Sequence, residues 1–255
     1  MKPTFNEFAD FVSTTTSITS KIIQDSFNSD NLSVSKKNDG SLLTISDTNV
    51  ENIIREKIAI TFPVHGCVGE ELEDININHK YCWIIDPIDG TFNFVKNVPF
   101  FGTLIGLLEN KIPKYGSLRL PMIENKLLTG DNQNAFLNDV AFKTTKFEGW
   151  SNSLILTTDL NRLERSSLKY QFRKLETLNS TFRTWGDCFG YYLLCIGKAD
   201  VMIDIDLKPF DILPLVPILR GSGIEIIDLS PDQNYSTIVA CKPEVKPELE
   251  SIFVK

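Results

Sequence analysis

Histidine is nearly missing from this chain of 255 residues, which has two, at positions 65 and 79. A zinc site is therefore not expected, His65-Gly-Cys67 being the one close pair of zinc-ligand types. The five cysteines, at 67, 82, 188, 195 and 241, are odd in number and show no C-x-x-C spacing. They are read as reduced core thiols of a cytoplasmic protein. No apolar run approaches the ~18 residues of a membrane-spanning helix. The first residues, with Asn6, Glu7 and Asp10 among phenylalanines, lack a basic-then-apolar leader pattern. Positive charge is also in deficit. With 26 Lys and Arg against 33 Asp and Glu, the formal charge is −7, which argues against nucleic acid, whose binding relies on cationic neutralisation of phosphates. The acidity fits a site in which carboxylates await divalent cations, and equally a surface kept soluble by charge.

What remains is ordinary globular composition, 42% hydrophobic and 23% charged, in a length that suits one large domain or two smaller ones. Within it the stretch Tyr81-Cys-Trp-Ile-Ile-Asp86-Pro-Ile-Asp89-Gly-Thr91 stands out. Residues 81–85 read as a buried strand, ended by Pro87, which has no amide to donate. The turn then presents Asp86, the Ile88 carbonyl and Asp89 within four residues, the hard oxygen set that Mg²⁺ or Mn²⁺ prefers. Gly90 permits close backbone approach, and Thr91 stands where a helix can start with amides free for a phosphate. On spacing alone the same residues also describe a polar Asp-Gly turn.

The flanking pattern is of mixed α/β type. Residues 4–27 carry apolar positions at helical spacing, closed by Asn28-Ser-Asp-Asn31. Ser33 to Thr44 reads as two short strands around Asn38-Asp39-Gly40. A helix is expected from Thr48, with Thr48-x-x-Glu51 as its capping box and Asp47 just before it. Residues 64–72 form a strand ending in Glu70-Glu71, and strands follow at 104–108 and 114–118. Beyond residue 149 the alternation restarts, with a strand at 153–157, a helix over 162–178, an apolar helix closed by Gly197 and a strand over 200–206. Two domains are expected, 1–148 and 149–255. Asp211 falls in the first turn of a helix kinked by Pro214 and Pro217. Asp47, Glu70, Asp86, Asp89 and Asp211 thus all lie at strand ends or helix starts, which gather at one sheet edge. Individually, each also has a plain role as a cap or surface acid.

Four ordered words carry a resemblance: Lys37-x-Asp39-Gly-Ser41-x-x-Thr44-x-x-Asp47, Gly69-Glu70-Glu71, Trp83-Ile-Ile-Asp86-Pro-Ile-Asp89-Gly-Thr91 and Pro209-Phe210-Asp211. Together they resemble the inositol monophosphatase family over residues 37–223. Pro63-Val-His65-Gly-Cys-Val-Gly-Glu70, Phe101-Gly-Thr-Leu-Ile-Gly106, Gly186-Asp187-Cys188 and Leu207-Lys-Pro-Phe-Asp-Ile212 are most similar to its histidinol-phosphate phosphatase branch. Phe210 stands where the family usually has Trp or Tyr, Gly221-Ser-Gly223-Ile224 replaces Glu-Ala-Gly-Gly, and Asp204 occupies a position that is often Glu.

The resemblance implies a five-layer αβαβα sandwich of the inositol monophosphatase/fructose-1,6-bisphosphatase type. It also implies Mg²⁺-dependent hydrolysis of a small phosphorylated metabolite, inhibition by lithium, and a homodimer. By motif position, Glu70, Asp86, the Ile88 carbonyl, Asp89 and Asp211 would bind two or three Mg²⁺, or Mn²⁺ in their place. Asp47 and Thr91 would be catalytic with Glu70, orienting the attacking water, and the Gly90 and Thr91 amides would hold the phosphate. For histidinol phosphate, an intermediate of histidine biosynthesis, Asp187 and Asp204 would face the cationic end of the substrate, unless they are solvated loop acids. Inositol monophosphate, fructose bisphosphate and adenosine bisphosphates are the rival substrates, and a catalytically silent binding relative is the rival class.

Overall fold

The computed structural model describes residues 2–29, 34–37, 40 and 42–254. The opening helix, α1 (Phe5–Phe27), turns Phe8, Val12 and Ile23 inward. Thr4 caps it, accepting the Glu7 amide while the Glu7 carboxylate accepts the Thr4 amide at 2.7 Å. Strands β1 (Val34–Lys36) and β2 (Leu42–Thr44) pair antiparallel as expected. Of the residues read as turns here, Asp30, Asn31, Asn38 and Asp39 lie outside the described residues, as do Ser33 and Ser41. Helix α2 (Ile45–Thr61) starts three residues before the expected Thr48. The reason is Asp47, whose Oδ2 accepts the Thr44 amide at 2.7 Å and closes the capping box one turn early. Glu51 is consequently a buried helix-interior residue instead of a capping partner.

The first sheet has seven strands in sequential order: β3 (Gly66–Gly69), β4 (Tyr81–Asp89), β5 (Gly102–Glu109), β6 (Ile112–Leu120), β7 (Lys126–Gly130), β8 (Ala135–Leu137) and β9 (Val140–Phe142). Pro87 does not end β4, contrary to the sequence reading. The register against β5 shifts between Asp86 and Asp89, so the missing amide falls inside an irregularity, where a strand tolerates it. Thr103 Oγ1 donates to the Pro87 carbonyl at 2.9 Å and holds the distortion. The short helix α3 (Thr91–Val95) follows at once.

The second sheet comprises β10 (Leu154–Thr157), β11 (Thr181–Arg183), β12 (Val201–Ile205), β13 (Glu225–Asp228) and β14 (Thr237–Cys241), ordered β11-β10-β12-β14-β13. Strand β10 pairs parallel with both neighbours, so helices must cross over between them. The single helix expected over 162–178 is two, α4 (Leu160–Arg165) and α5 (Lys169–Leu175). Ser166 divides them: its hydroxyl donates to the Leu163 carbonyl at 2.7 Å and accepts the Leu168 amide at 3.0 Å, replacing helical bonds. Helix α6 (Asp187–Cys195) ends before Gly197, as expected. The proline-interrupted segment gives α7 (Pro209–Ile212) and α8 (Val216–Ser222), and α9 (Lys246–Phe253) closes the fold.

These elements stack in five layers, αβαβα. Helices α1 and α2 cover one face of the first sheet, α6 and α8 lie between the sheets, and α4, α5 and α9 cover the far face of the second. The central core is shared: Leu104, Leu118 and Leu128 join Leu156 and Met202 around α6 and α8. All five cysteines are free and buried.

One feature fixes where α7 and α8 lie. Gly106, Gly116 and Gly130 are direct cross-strand partners on β5, β6 and β7. They form a furrow without side chains, into which the Pro214–Ile218 backbone settles. A Cβ on Gly116 would stand 1.8 Å from the Pro214 carbonyl oxygen, and one on Gly130 would stand 2.6 Å from Ile218 Cα. Gly116→Ala is therefore expected to overpack this layer and lower stability by about 1–3 kcal/mol in urea denaturation. An unchanged midpoint would mean that the helix layer can retreat freely.

Candidate metal centre

Strand β4 is buried along its whole length and delivers two acids to the edge between the sheets. Asp86 is 2% exposed and Asp89 9%. From the other side, Asp211 sits in the first turn of α7, its Oδ2 accepting the Lys208 amide at 2.8 Å. One carboxylate oxygen from each of Asp86, Asp89 and Asp211 lies within 4.8 Å of the others. Asp89 is also tied to the second half of the chain, because the Cys188 amide at the start of α6 donates to its Oδ2.

Glu70 follows β3, its amide donating to the Ile85 carbonyl at 3.2 Å. Its carboxylate pairs with Lys37 Nζ at 2.6 Å, and Glu71 meets the same ammonium at 2.7 Å. Asp47 is fully buried on α2, with Oδ2 engaged by Thr44. Its Oδ1 has no hydrogen-bond partner, and neither has Asp86 Oδ1. A buried carboxylate oxygen without a donor is costly, so these atoms are unmet acceptors of the kind that a bound cation would satisfy.

The electrostatics agree. Burial, then Glu70, Asp89, Asp211 and Asp47, push the Asp86 carboxyl well above its ordinary range. Burial and Asp187 do the same to Asp89. Asp211 rises to about 7, through burial first and its acidic neighbours after, against the Lys208 amide. Asp47 rises to about 6, chiefly by burial. Hard carboxylate oxygens crowded in this way match the donor set of Mg²⁺ or Mn²⁺.

The turn after Asp89 is built as the sequence suggested. Gly90 adopts φ +88, where a Cβ would stand 3.0 Å from the Phe100 carbonyl oxygen, and Thr91 opens α3. The Thr91 hydroxyl donates to the Ile88 carbonyl at 3.0 Å.

Asp187 and Asp204 are placed differently from each other. Asp187 takes the left-handed region at φ 49, and its Oδ2 accepts from Asn93 Nδ2 at 3.0 Å. With Asp89, Asp211, Thr158 and Arg162 it lines the cleft beside the cluster. Its carboxyl is pushed up to about 7 by burial and the charges of Asp204 and Asp211, against Arg162. Asp204 is 4% exposed, and its oxygens accept the Thr158 amide at 3.0 Å, the Thr158 hydroxyl at 3.1 Å and the Tyr191 hydroxyl at 3.0 Å. Asp204 lines the same cleft as Asp187, and its bonds to Thr158 and Tyr191 also anchor the wall between them. Thr158, Tyr191, Asn93 and Arg162 went unread in the sequence, where nothing marks a strand-end threonine or a helix tyrosine as belonging to a site. Lys37 lay in a quoted motif without a role. His65 accepts from Trp83 Nε1 at 3.2 Å and stacks on Phe62, a core position.

A sequence profile of the inositol monophosphatase family matches residues 6–250. The chain is 30% identical over 203 residues to a histidinol-phosphatase of Chlorobaculum parvum, covering 80% of this chain and 78% of that protein. It is 29% identical over 203 residues to inositol monophosphatase 1 of Rattus norvegicus, covering 76% and 70%. In three dimensions it superimposes on an IMPase/NADP phosphatase complexed with Mg²⁺ and phosphate, with a TM-score of 0.84 and 17% identity over 98% and 96% of the two chains.

The crowding has a measurable sign. Asp47, Asp187 and Asp211 have folded values of about 6, 7 and 7, above their ordinary 3.8. Their contribution to stability is therefore complete at low pH and lost as pH rises through those values. EDTA-treated protein is expected to lose denaturant resistance between about pH 4 and pH 7, and Mg²⁺ to restore it at the upper end. A rise over that window in EDTA, or no response to Mg²⁺, would contradict the crowding.

Proposed function

Because the chain belongs to the inositol monophosphatase family, we propose that it is a divalent-metal-dependent phosphomonoesterase whose substrate is histidinol phosphate. The observation that carries the first part is the convergence of Asp86, Asp89 and Asp211 within 4.8 Å beside the unpartnered oxygens of Asp86 and Asp47. Glu70, Asp86, the Ile88 carbonyl, Asp89 and Asp211 would hold two or three Mg²⁺, and Mn²⁺ suits the same oxygens. When bound, such cations neutralise the transferring phosphoryl group and make water a better nucleophile.

The chain's own groups do the rest. Asp47 Oδ1 has no hydrogen-bond partner and is free to take a proton. The Thr91 hydroxyl would orient the attacking water and pass its proton toward Asp47. The amides of Gly90 and Thr91 precede the first bonds of α3 and would hold the phosphate. No imidazole is required, in keeping with a chain that has two.

Histidinol phosphate is favoured by the setting of Asp187. Its carboxylate lies among other acids in the cleft, so an ammonium there would relieve repulsion as well as form a charge-assisted bond. The 30% identity to a histidinol-phosphatase supports this. Arg162 in the same wall favours the second reading, inositol phosphate, whose hydroxyls can accept from a guanidinium. A homodimer in the cytoplasm remains part of the proposal; among the described residues no helix is long and apolar enough to cross a membrane.

A phosphate-release assay over histidinol phosphate, inositol monophosphate, fructose bisphosphate and an adenosine bisphosphate decides the substrate. Histidinol phosphate is expected to turn over fastest with Mg²⁺, and no substrate in excess EDTA. Thr91→Ala is expected to lower kcat by about 10²–10⁴-fold while Mg²⁺ affinity stays nearly unchanged; a wild-type rate would reduce Thr91 to a helix-start residue. Asp187→Asn should raise KM for histidinol phosphate about ten- to a hundredfold and leave inositol phosphate hydrolysis almost untouched. Asp204→Asn, acting through Thr158 and Tyr191, should impair both alike. Equal losses in Asp187→Asn on both substrates would reject the ammonium contact.

A further inference from the structure

Glu51 is a fully buried acid with no place in the chemistry above. It stands one helical turn after Asp47 on α2, so both project from one face. Its Oε2 accepts the Glu71 amide at 2.8 Å, and its Oε1 accepts the Leu72 amide at 3.3 Å and Arg55 Nε at 2.7 Å. Arg55 completes the grip: Nη2 donates to the Leu72 carbonyl at 3.0 Å and Nη1 to the Glu73 carbonyl at 2.8 Å. The loop after β3 is thus held by its amides and by its carbonyls at once. The fit leaves no slack, because a Cβ on Gly69 would lie 2.0 Å from Glu51 Oε1 and 2.8 Å from Arg55 Nη2. Glu70 sits between Gly69 and the clamped Glu71.

We propose that Glu51, braced by Arg55, is a positioning residue that sets the Glu70 carboxylate against Asp86 for the metal. A buried charge is expensive unless fully satisfied, and here it is satisfied entirely by one loop and the arginine. Helix α2 thereby sets two parts of the site from adjacent turns, Asp47 directly and Glu70 through the clamp. The same rigidity holds the Glu70 side chain, paired with Lys37, where its charge acts on Asp86.

The inference rests on Glu70 being a metal ligand, and its test separates the two. Mg²⁺ binding is measured calorimetrically on the substrate-free protein for wild type, Glu51→Gln, Glu70→Gln and the double variant, with folding confirmed by circular dichroism. Glu51→Gln is expected to weaken Mg²⁺ binding about tenfold, as lost support behind a ligand does. Its effect should largely vanish in the Glu70→Gln background, because the two act as one unit. Unchanged affinity in a folded Glu51→Gln, or losses that add in the double variant, would overturn the positioning role while leaving Glu70 a ligand. An unshifted Glu70→Gln would overturn the ligand reading and the positioning role with it. Should Glu51→Gln fail to fold, Arg55→Lys replaces it in the same cycle, since it keeps the charge and loses the fork.

Discussion

Mutual repulsion among buried carboxylates is the constraint on which this structure turns. Asp86, Asp89 and Asp211 bring like charges within 4.8 Å beside a cleft, and Asp47 and Glu70 add to the field around Asp86. Nothing in the fold would assemble such a group for its own stability, since Asp47, Asp86, Asp89 and Asp211 are pushed toward protonation by burial and then by neighbouring acids. Hydrogen bonds hold three of them in place nevertheless: Asp47 on Thr44, Asp89 on the Cys188 amide, Asp211 on the Lys208 amide. These three acids each keep their position by spending one oxygen on the backbone or a cap, and the other is the oxygen that the proposed cation or its water would take.

Two parts of the chain must meet for this to work, and the glycine furrow is how they do so. Asp86 and Asp89 come from the first sheet, and Asp211 from the α7–α8 segment that lies on it. The approach of that segment is as close as backbone permits, because Gly106, Gly116 and Gly130 align across three strands. On the second side the Asp187–Thr158–Asp204–Tyr191 chain of hydrogen bonds stiffens the cleft wall. A site shared across a sheet and a helix layer is thus held by packing from below and polar bonding from the side.

The acids of the cluster were legible in the sequence because each sits where local chemistry already demands a carboxylate or a turn. Asp89-Gly90 and Pro209-Phe210-Asp211 announce themselves by strand end and helix start. The glycine furrow was not legible: its members lie 10 and 14 residues apart in the chain, and only cross-strand register makes them neighbours. Pro87 was misread as a strand terminator, since a bulge that absorbs proline depends on Thr103 from the next strand. The start of α2 was misplaced because Thr44-x-x-Asp47 and Thr48-x-x-Glu51 are both sound capping patterns, and burial of Glu51 decides between them. Asp204 was legible as an acid outside the metal cluster, but its partners Thr158 and Tyr191 were not, because they come from elements that sequence spacing does not connect.

Whether the carboxylate cluster is a divalent-metal site is decided by anomalous diffraction from crystals equilibrated with Mn²⁺. Anomalous peaks are expected bounded by Asp86, Asp89 and Asp211, with Glu70 turned from Lys37 toward a cation. A cluster without peaks at saturating Mn²⁺, or peaks confined to carboxylates elsewhere, would contradict the metal reading.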